Sequence, residues 1–295
     1  MANPLRGVFT ALVTPFMKSG KLDENALRDL IEFQISNGID GIVPCGTTGE
    51  SPTLSDNEKK TIIRLTVKHA RGRAKVIAGT GSNWTEHSIQ LSRFAEDAGV
   101  DGLLLVNPYY NKPTQKGLFL HFSSIADAVK IPCVVYNIKG RTSVNVETTT
   151  LIKLMNECPN IAAVKEASGD IDQIKDVIAR RKPGFCVLSG DDNMTLALVR
   201  AGGDGIVSVA SNIVPAEMVK MTHYALEGKY DQAKEIENKL SLLFKTLFIE
   251  TNPIPIKTML AMQGRCEEIF RLPMCELESD EHRKMVQQVV AGLAR

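Results

Sequence analysis

Eight short apolar runs, each bounded by glycine or proline and followed by a segment of helical periodicity, most constrain the fold of this chain. This order is typical of repeated βα units whose strands form one parallel sheet. Strands in such a sheet are apolar along their length because helices cover one face and packed side chains the other. The runs are residues 8–13, 41–44, 76–78, 102–106, 133–136, 161–164, 185–188 and 205–209.

Eight βα units predict an α/β chain folded as a closed (β/α)8 TIM barrel rather than an open doubly wound sheet. A dinucleotide-binding open sheet would carry G-x-G-x-x-G after an early strand, and residues 79–84 lack the third glycine. We expect residues 1–226 to form the catalytic barrel and residues 227–295 a C-terminal helical region. Helices at 227–249, 255–263 and 280–293 would cover the barrel or form a subunit contact.

Composition argues against several classes of partner. The 35 Lys and Arg residues against 34 Asp and Glu residues leave a net charge of +1, so we expect no nucleic-acid partner. No run approaches the ~20 apolar residues that span a bilayer, and residues 1–16 lack the features of a signal peptide. We therefore expect a cytoplasmic protein with no membrane partner.

Metal-ligand spacing is missing from the sequence. Six cysteines occur without a C-x-x-C pair and five histidines without an H-x-H or H-E-x-x-H pair, so we expect reduced thiols and no metal or organic cofactor. Asp191 and Asp192 could bind a divalent ion or cap the next helix. We favour capping, because a good helix follows at 193–201.

Two loops after apolar runs could bind carboxylates. TIM-barrel enzymes place their active sites at the carboxyl ends of the strands. Residues 45–51, CGTTGES, expose backbone N–H groups beside the hydroxyls of Thr47 and Thr48, although an ordinary βα turn would look the same. Arg141 could pair with a carboxylate through both guanidinium N–H groups or simply be solvated.

Lys165 directly follows the sixth apolar run, where a strand reaches the barrel mouth. Desolvation lowers the pKa of an ammonium group, and the neutral amine can attack a ketone to form a Schiff base. The alternative is a lysine that extends into water. Glu166 points to the opposite face of the strand and is expected to be structural.

Tyr110 and Tyr136 also follow strands, and their phenols could transfer protons. Together these groups suggest Schiff-base chemistry on a small keto acid.

Six sequence blocks resemble, in order and spacing, those of the dihydrodipicolinate synthase and N-acetylneuraminate lyase superfamily of pyruvate-dependent class I aldolases. The similarity runs from about Gly7 to Leu272 and is closest to the dihydrodipicolinate synthase family. The blocks are GTTGES at 46–51, PYYN at 108–111, YN at 136–137 with RT at 141–142, KEASG at 165–169, SGDD at 189–192 and NPIPIK at 252–257.

The resemblance implies a lyase of lysine and diaminopimelate biosynthesis that condenses pyruvate with aspartate 4-semialdehyde. It implies that Lys165 forms the pyruvate imine and that Tyr136 is the general acid and base. Thr48 would link Tyr136 to Tyr110, which a neighbouring subunit contributes, and a homotetramer built as a dimer of dimers is expected.

The resemblance also implies the substrate contacts. Thr47 and Thr48 would hold the pyruvate carboxylate, Arg141 the semialdehyde carboxylate, and Gly190 and Val207 would line the pyruvate pocket. Two alternatives remain open. One is an aldolase for a sugar-derived keto acid such as N-acetylneuraminate or 2-keto-3-deoxygluconate, and the other is a non-catalytic ligand sensor.

The chain departs from its relatives at two places. Lys139 and Ser143 replace the proline and glycine that usually flank the Arg-Thr pair. Loss of the proline loosens a backbone restraint and loss of the glycine removes its φ freedom, and both affect the approach of Arg141. In lysine-inhibited relatives, lysine binds at positions matching 51, 52, 56, 59, 83, 87 and 109. His87 stands where a glutamate is expected, and Lys59 and Asp56 where histidines are expected. We therefore expect weak or absent inhibition by lysine.

Overall fold

Eight parallel strands close into a barrel in sequence order, with β8 hydrogen-bonded to β1. The computed structural model describes residues 5–293. All eight predicted strands are confirmed, with ends shifted by at most two residues, and the TIM-barrel prediction is confirmed with them. The strands are β1 (Gly7–Ala11), β2 (Gly41–Val43), β3 (Lys75–Gly79), β4 (Gly102–Val106), β5 (Cys133–Asn137), β6 (Ile161–Glu166), β7 (Cys186–Ser189) and β8 (Gly205–Ser208).

Helices follow the strands and cover the outside of the barrel. Several begin at a side-chain cap. Asp23 accepts from the N–H of Ala26, and Ser55 and Glu58 form a capping box. The helices are α1 (Glu24–Ser36), α2 (Asp56–Ala70), α3 (Thr85–Asp97), α4 (Gln115–Asp127), α5 (Lys139–Thr142), α6 (Thr148–Glu157), α7 (Ile171–Arg180), α8 (Thr195–Arg200), α9 (Pro215–Leu226), α10 (Tyr230–Thr246), α11 (Ile254–Met262) and α12 (Asp280–Leu293).

The strands bury alternate side chains in two separate cores. In β4, Leu103 and Leu105 pack outward under the helices, while Leu104 packs inside the barrel. The same alternation in β6 puts Ala163 inside and Val164 outside. Because side chains alternate along a strand, Lys165 must follow Ala163 into the barrel, whereas Glu166 must leave it.

The tail after α9 packs onto the barrel rather than standing apart from it. Leu243 of α10 and Ile256 of α11 belong to the same core cluster as the outward-facing strand residues. The connection between α10 and α11 places Phe248 and Asn252 against a cavity at the carboxyl ends of the strands. The three predicted tail helices are confirmed, and α10 and α11 help cover the barrel.

An ion pair without solvent contact fastens α11 to the loop after β2. Lys257 Nζ lies 2.6 Å from Glu50 Oε1, and the two side chains are 0% and 1% exposed. The ammonium also lies 4.2 Å from the centroid of the Phe16 ring. Burial lowers the pKa of Lys257, and the charge and hydrogen bond of Glu50 oppose that shift. This pair holds the loop at 46–51 against the tail.

We expect Lys257→Met to lower the free energy of unfolding by about 3–5 kcal/mol, since it leaves the Glu50 carboxylate buried without a cation. The double variant Glu50→Gln/Lys257→Met removes both charges and should recover most of that loss. Denaturant unfolding followed by circular dichroism, at one protein concentration, measures both. A single variant as stable as the wild type would contradict this expectation.

Candidate active site

A cavity with about 440 Å³ of empty space, counting its open mouth, lies at the carboxyl ends of the strands. Its wall draws on the loop after β2, on strands β5 and β6, on the loop after β7 and on the tail. Six of the eight residues that the sequence indicated as site residues line it together: Thr47, Thr48, Tyr136, Arg141, Lys165 and Gly190.

Lys165 and Tyr136 face each other inside the barrel. They are register partners on β6 and β5, and Lys165 Nζ lies 4.0 Å from the centroid of the Tyr136 ring. Lys165 is 5% exposed, and within residues 5–293 no carboxylate oxygen lies within ion-pairing distance of its ammonium. The Lys165 amine therefore lacks an ion pair of the kind that Lys257 forms with Glu50.

Gly190 leaves the space that the Lys165 side chain occupies. A Cβ atom at position 190 would lie 3.0 Å from Lys165 Cε and 2.6 Å from the Cβ of Ala167. Asp191 follows at the cavity wall, where burial raises the pKa of its carboxyl group and the charge of Lys165 opposes the shift. The absence of a side chain at 190 keeps the amine accessible from the cavity.

The turn at 46–51 offers unpaired donors to the cavity. The N–H groups of Gly49 and Ser51 both donate to the carbonyl of Gly46, and that of Glu50 donates to Thr47. The backbone N–H groups of Thr47 and Thr48 donate to no other residue in the described chain. Two adjacent free N–H groups beside a hydroxyl can bind a carboxylate.

Arg141 reaches the cavity despite the sequence departures around it. It lies in the single-turn helix α5, and its Nη2 donates to the backbone oxygen of Asn252 at 3.0 Å. Ser143 ends that helix with φ 58°, in the left-handed region where glycine would be unstrained. The serine thus follows the path that a glycine would take, at a conformational cost of about 1 kcal/mol.

Two of the predicted site residues do not line this cavity. Tyr110 is 91% exposed on the loop after β4, with φ 72°. Val207 is packed in the inner core of the barrel, while Val209, just beyond β8, contributes to the wall.

Sequence reasoning gave no role to Asn252 or Phe248, which also line the cavity. Both come from the tail, so the rule that barrel sites are built from strand ends does not find them. Asn252 belongs to a block that resembles the family, and this was the only signal for it.

The prediction that the Asp191–Asp192 pair caps the next helix is wrong. Asp192 is buried and turned toward β8, where its Oδ1 accepts from Ser208 Oγ at 2.6 Å and its Oδ2 from the N–H groups of Val209 and Ala210. A 3-10 turn at Asp192–Met194 precedes α8, and neither it nor α8 has a side-chain cap. Burial raises the pKa of Asp192 to about 6, and these hydrogen bonds oppose the rise. Glu166, by contrast, is structural as predicted, bonded to Asn137 and Ser168 outside the barrel.

No group of three potential metal ligands is found among residues 5–293. No helix in the same residues is long and apolar enough to cross a membrane.

A wider opening adjoins the cavity and shares Thr47, Tyr136 and Arg141 with it. Its wall includes six of the seven positions that match the lysine site of inhibited relatives: Ser51, Pro52, Lys59, Asn83, His87 and Tyr109. His87 Nε2 lies 2.9 Å from Asp56 Oδ1, and this hydrogen bond lowers the pKa of Asp56. The carboxylate of Asp56 is therefore already paired.

Comparison with known proteins agrees with this geometry. The 4-hydroxy-tetrahydrodipicolinate synthase of Endomicrobium trichonymphae is 52% identical over 279 residues, 95% of each chain. The crystal structure of dihydrodipicolinate synthase from Aquifex aeolicus has a TM-score of 0.97 at 47% identity, covering 98% of both chains. A dihydrodipicolinate synthase from Cyanidioschyzon merolae with lysine bound has a TM-score of 0.96 at 38% identity, covering 99% of both.

The model of the Dihydrodipicolinate synthetase family matches residues 4–291. Since that match spans nearly the whole sequence and the barrel carries a lysine at the mouth of β6, the chain belongs to the dihydrodipicolinate synthetase family.

Proposed function

We propose that this chain condenses pyruvate with L-aspartate 4-semialdehyde to give 4-hydroxy-tetrahydrodipicolinate through a Schiff base on Lys165. The observation that carries the proposal is the buried, unpaired Lys165 amine facing Tyr136 in a cavity with free backbone donors. The relatives at about half identity bear the synthase name, which supports these substrates. A sugar-derived keto acid is not favoured.

The first half of the reaction forms the nucleophile. The Lys165 amine adds to C2 of pyruvate, and Tyr136 donates a proton to the carbinolamine hydroxyl, which leaves as water. The N–H groups of Thr47 and Thr48 hold the pyruvate carboxylate. The Tyr136 phenolate then removes a proton from C3 of the protonated imine. The C3–H electron pair forms the C2=C3 double bond and the C=N pair moves to nitrogen, which gives the enamine.

The second half forms the ring. The enamine carbon attacks the aldehyde carbon of the semialdehyde, whose carboxylate Arg141 binds, and the new oxyanion takes up a proton. The amino group of the semialdehyde then adds to C2 and expels the Lys165 amine. This step closes the heterocycle and restores the enzyme.

Borohydride reduction in the presence of pyruvate should attach the pyruvate carbons to the peptide that contains Lys165, because the reduced imine cannot hydrolyse. Peptide mass spectrometry measures the adduct. Lys165→Ala should lose the label and lower kcat by about 1,000-fold or more.

Lys257 is the matched control, because it is equally buried but paired with Glu50. It should remain unlabelled. An adduct on Lys139 instead, or an unmodified Lys165 in protein that turns over pyruvate, would refute the assignment. Parallel assays with N-acetylneuraminate and 2-keto-3-deoxygluconate test the disfavoured substrates.

We also propose a homotetramer, a dimer of dimers, in which Tyr110 completes the site of a neighbouring subunit. Tyr110 points away from its own cavity and is exposed, as is Trp84 beside the wider opening that leads to the site. A cytoplasmic location fits the six cysteines, all of which are free thiols.

Mixing inactive Tyr110→Phe and Lys165→Ala subunits should restore activity, since a mixed interface has one site with both side chains intact. Dissociation and reassociation before assay allows the subunits to exchange. We expect up to about one quarter of wild-type activity at equal mixing, because both intact groups must meet by chance. Full wild-type activity in a sample shown to be monomeric by sedimentation would contradict the proposal.

Lysine should inhibit weakly. A ligand with two ammonium groups needs carboxylate partners, and here Lys59 adds a cation while His87 already pairs with Asp56. We expect about 1 mM L-lysine to inhibit by less than half. A site that binds lysine with a free energy of ~4 kcal/mol would be half-filled at that concentration.

The matched variant Lys59→His/His87→Glu restores the residues expected in inhibited relatives. It should lower the half-inhibitory concentration by about 5- to 150-fold, equivalent to ~1–3 kcal/mol. Strong inhibition of the wild type by 1 mM lysine would overturn this expectation.

A further inference from the structure

Asn252 comes from the tail, yet it contacts both groups that bind substrate carboxylates. It lies between α10 and α11, directly before Pro253, and is 5% exposed. Its Nδ2 donates to Thr48 Oγ1 at 3.0 Å. Its backbone oxygen accepts from Arg141 Nη2 at 3.0 Å. The side chain of Asn252 therefore acts on Thr48, and its backbone acts on Arg141.

The direction of the Asn252–Thr48 hydrogen bond follows from what each group can do. An amide nitrogen only donates, whereas a hydroxyl donates one proton and also accepts. Thr48 Oγ1 accepts from Asn252 and keeps its own proton for another group. Within the part of the chain that the structure describes, no second residue hydrogen-bonds to that hydroxyl. The proton of Thr48 is therefore available to a group in the cavity.

The Tyr136 phenol lines the same cavity as Thr48, as does Asp191, and the carboxylate of pyruvate bound there would be a further acceptor. If Thr48 donates this proton to the phenolic oxygen, it would stabilise the phenolate that forms when Tyr136 protonates the carbinolamine hydroxyl. The opposite polarity, with Thr48 donating to residue 252, would withdraw that stabilisation. The amide nitrogen at 252 excludes the opposite polarity.

The oxygen of the Asn252 side-chain amide, Oδ1, indicates that the residue does more than fill space. Four buried side-chain polar atoms in residues 5–293 have no hydrogen-bond partner, and only Asn252 Oδ1 belongs to a residue that lines the cavity. An unpaired buried oxygen costs stability. Packing alone gives no reason to keep an amide here, whereas orienting Thr48 does.

We propose that Asn252 is a positioning residue that fixes the direction in which the Thr48 hydroxyl donates its proton. It acts on the reaction only through that hydroxyl. The inference rests on the Schiff-base function proposed above and adds to it the group that orders the proton donors behind Tyr136.

The test compares two variants that keep the backbone oxygen holding Arg141. Asn252→Ala removes the donor, and kcat should fall by about 3- to 10-fold, the worth of one neutral hydrogen bond. Asn252→Asp has the same shape but puts an acceptor against Thr48, and kcat should fall by ~10- to 100-fold. In Asn252→Ala the KM for aspartate semialdehyde should change by less than about 2-fold, because the Arg141 contact remains.

Repeating both substitutions in a Thr48→Val background separates positioning from general damage. Without the hydroxyl there is nothing left to orient, so neither substitution should lower kcat further by more than about 2-fold. The rate of imine formation, followed by borohydride trapping at Lys165, should show the same dependence. Equal losses in both backgrounds, or wild-type kcat in both variants, would overturn the proposal.

Controls keep this outcome distinct from other failures. Circular dichroism and sedimentation establish that each variant is folded and assembled. If Asn252→Asp is misfolded or unassembled, the comparison of Asn252→Ala in the two backgrounds tests the positioning role by itself. The wild type is assayed and trapped in parallel. If the wild type forms neither product nor adduct, the proposed function fails. If it forms both while the losses are additive, only the role of Asn252 fails.

Discussion

The alternation of side chains along the strands of a closed barrel is the constraint on which this site depends. A strand in the barrel has one face toward the helices and one toward the interior, so adjacent residues have opposite environments. In β6 this separates Lys165, inside and beside Tyr136, from Glu166, outside and bonded to Asn137. A shift of one residue in that strand would exchange an amine nucleophile for a carboxylate. The register between β5 and β6 is thus a chemical requirement as well as a structural one.

Two lysines are buried in the described chain, and they differ in whether a carboxylate pairs with the ammonium group. Lys257 has the Glu50 carboxylate at 2.6 Å, and this pair holds the tail to the turn at 46–51. Lys165 has an aromatic ring and a glycine beside it, so its side chain has space, and it forms no ion pair within the described chain. The lysine proposed as the nucleophile differs from the structural one in having no ion-pair partner. Burial alone does not identify a nucleophile.

The sequence predicts features that depend on neighbouring residues, such as strands and their ends. It does not predict contacts between residues that are far apart in the chain. The strands and the place of Lys165 at the mouth of β6 were predicted correctly because apolar runs and their ends are local signals. The cap assigned to Asp192 was wrong because the competing donors come from Ser208 and its neighbours on another strand. The contact of Asn252 with Thr48 joins residues 204 positions apart, and no periodicity indicates it. The environment of Tyr110 in an oligomer depends on a neighbouring subunit, so the sequence of one chain does not predict it.

The tail that crosses the barrel mouth also determines when during synthesis the protein acquires its chemistry. Every strand and Lys165 are made before residue 210, but the residues that fasten the turn at 46–51 and contact Thr48 and Arg141 lie at 252 and 257. A nascent chain that has completed only its barrel therefore holds an amine without the arrangement that uses it. The site is complete only after residues 252 and 257 have been made and packed onto the barrel, so chains that lack them have no finished site for a keto acid.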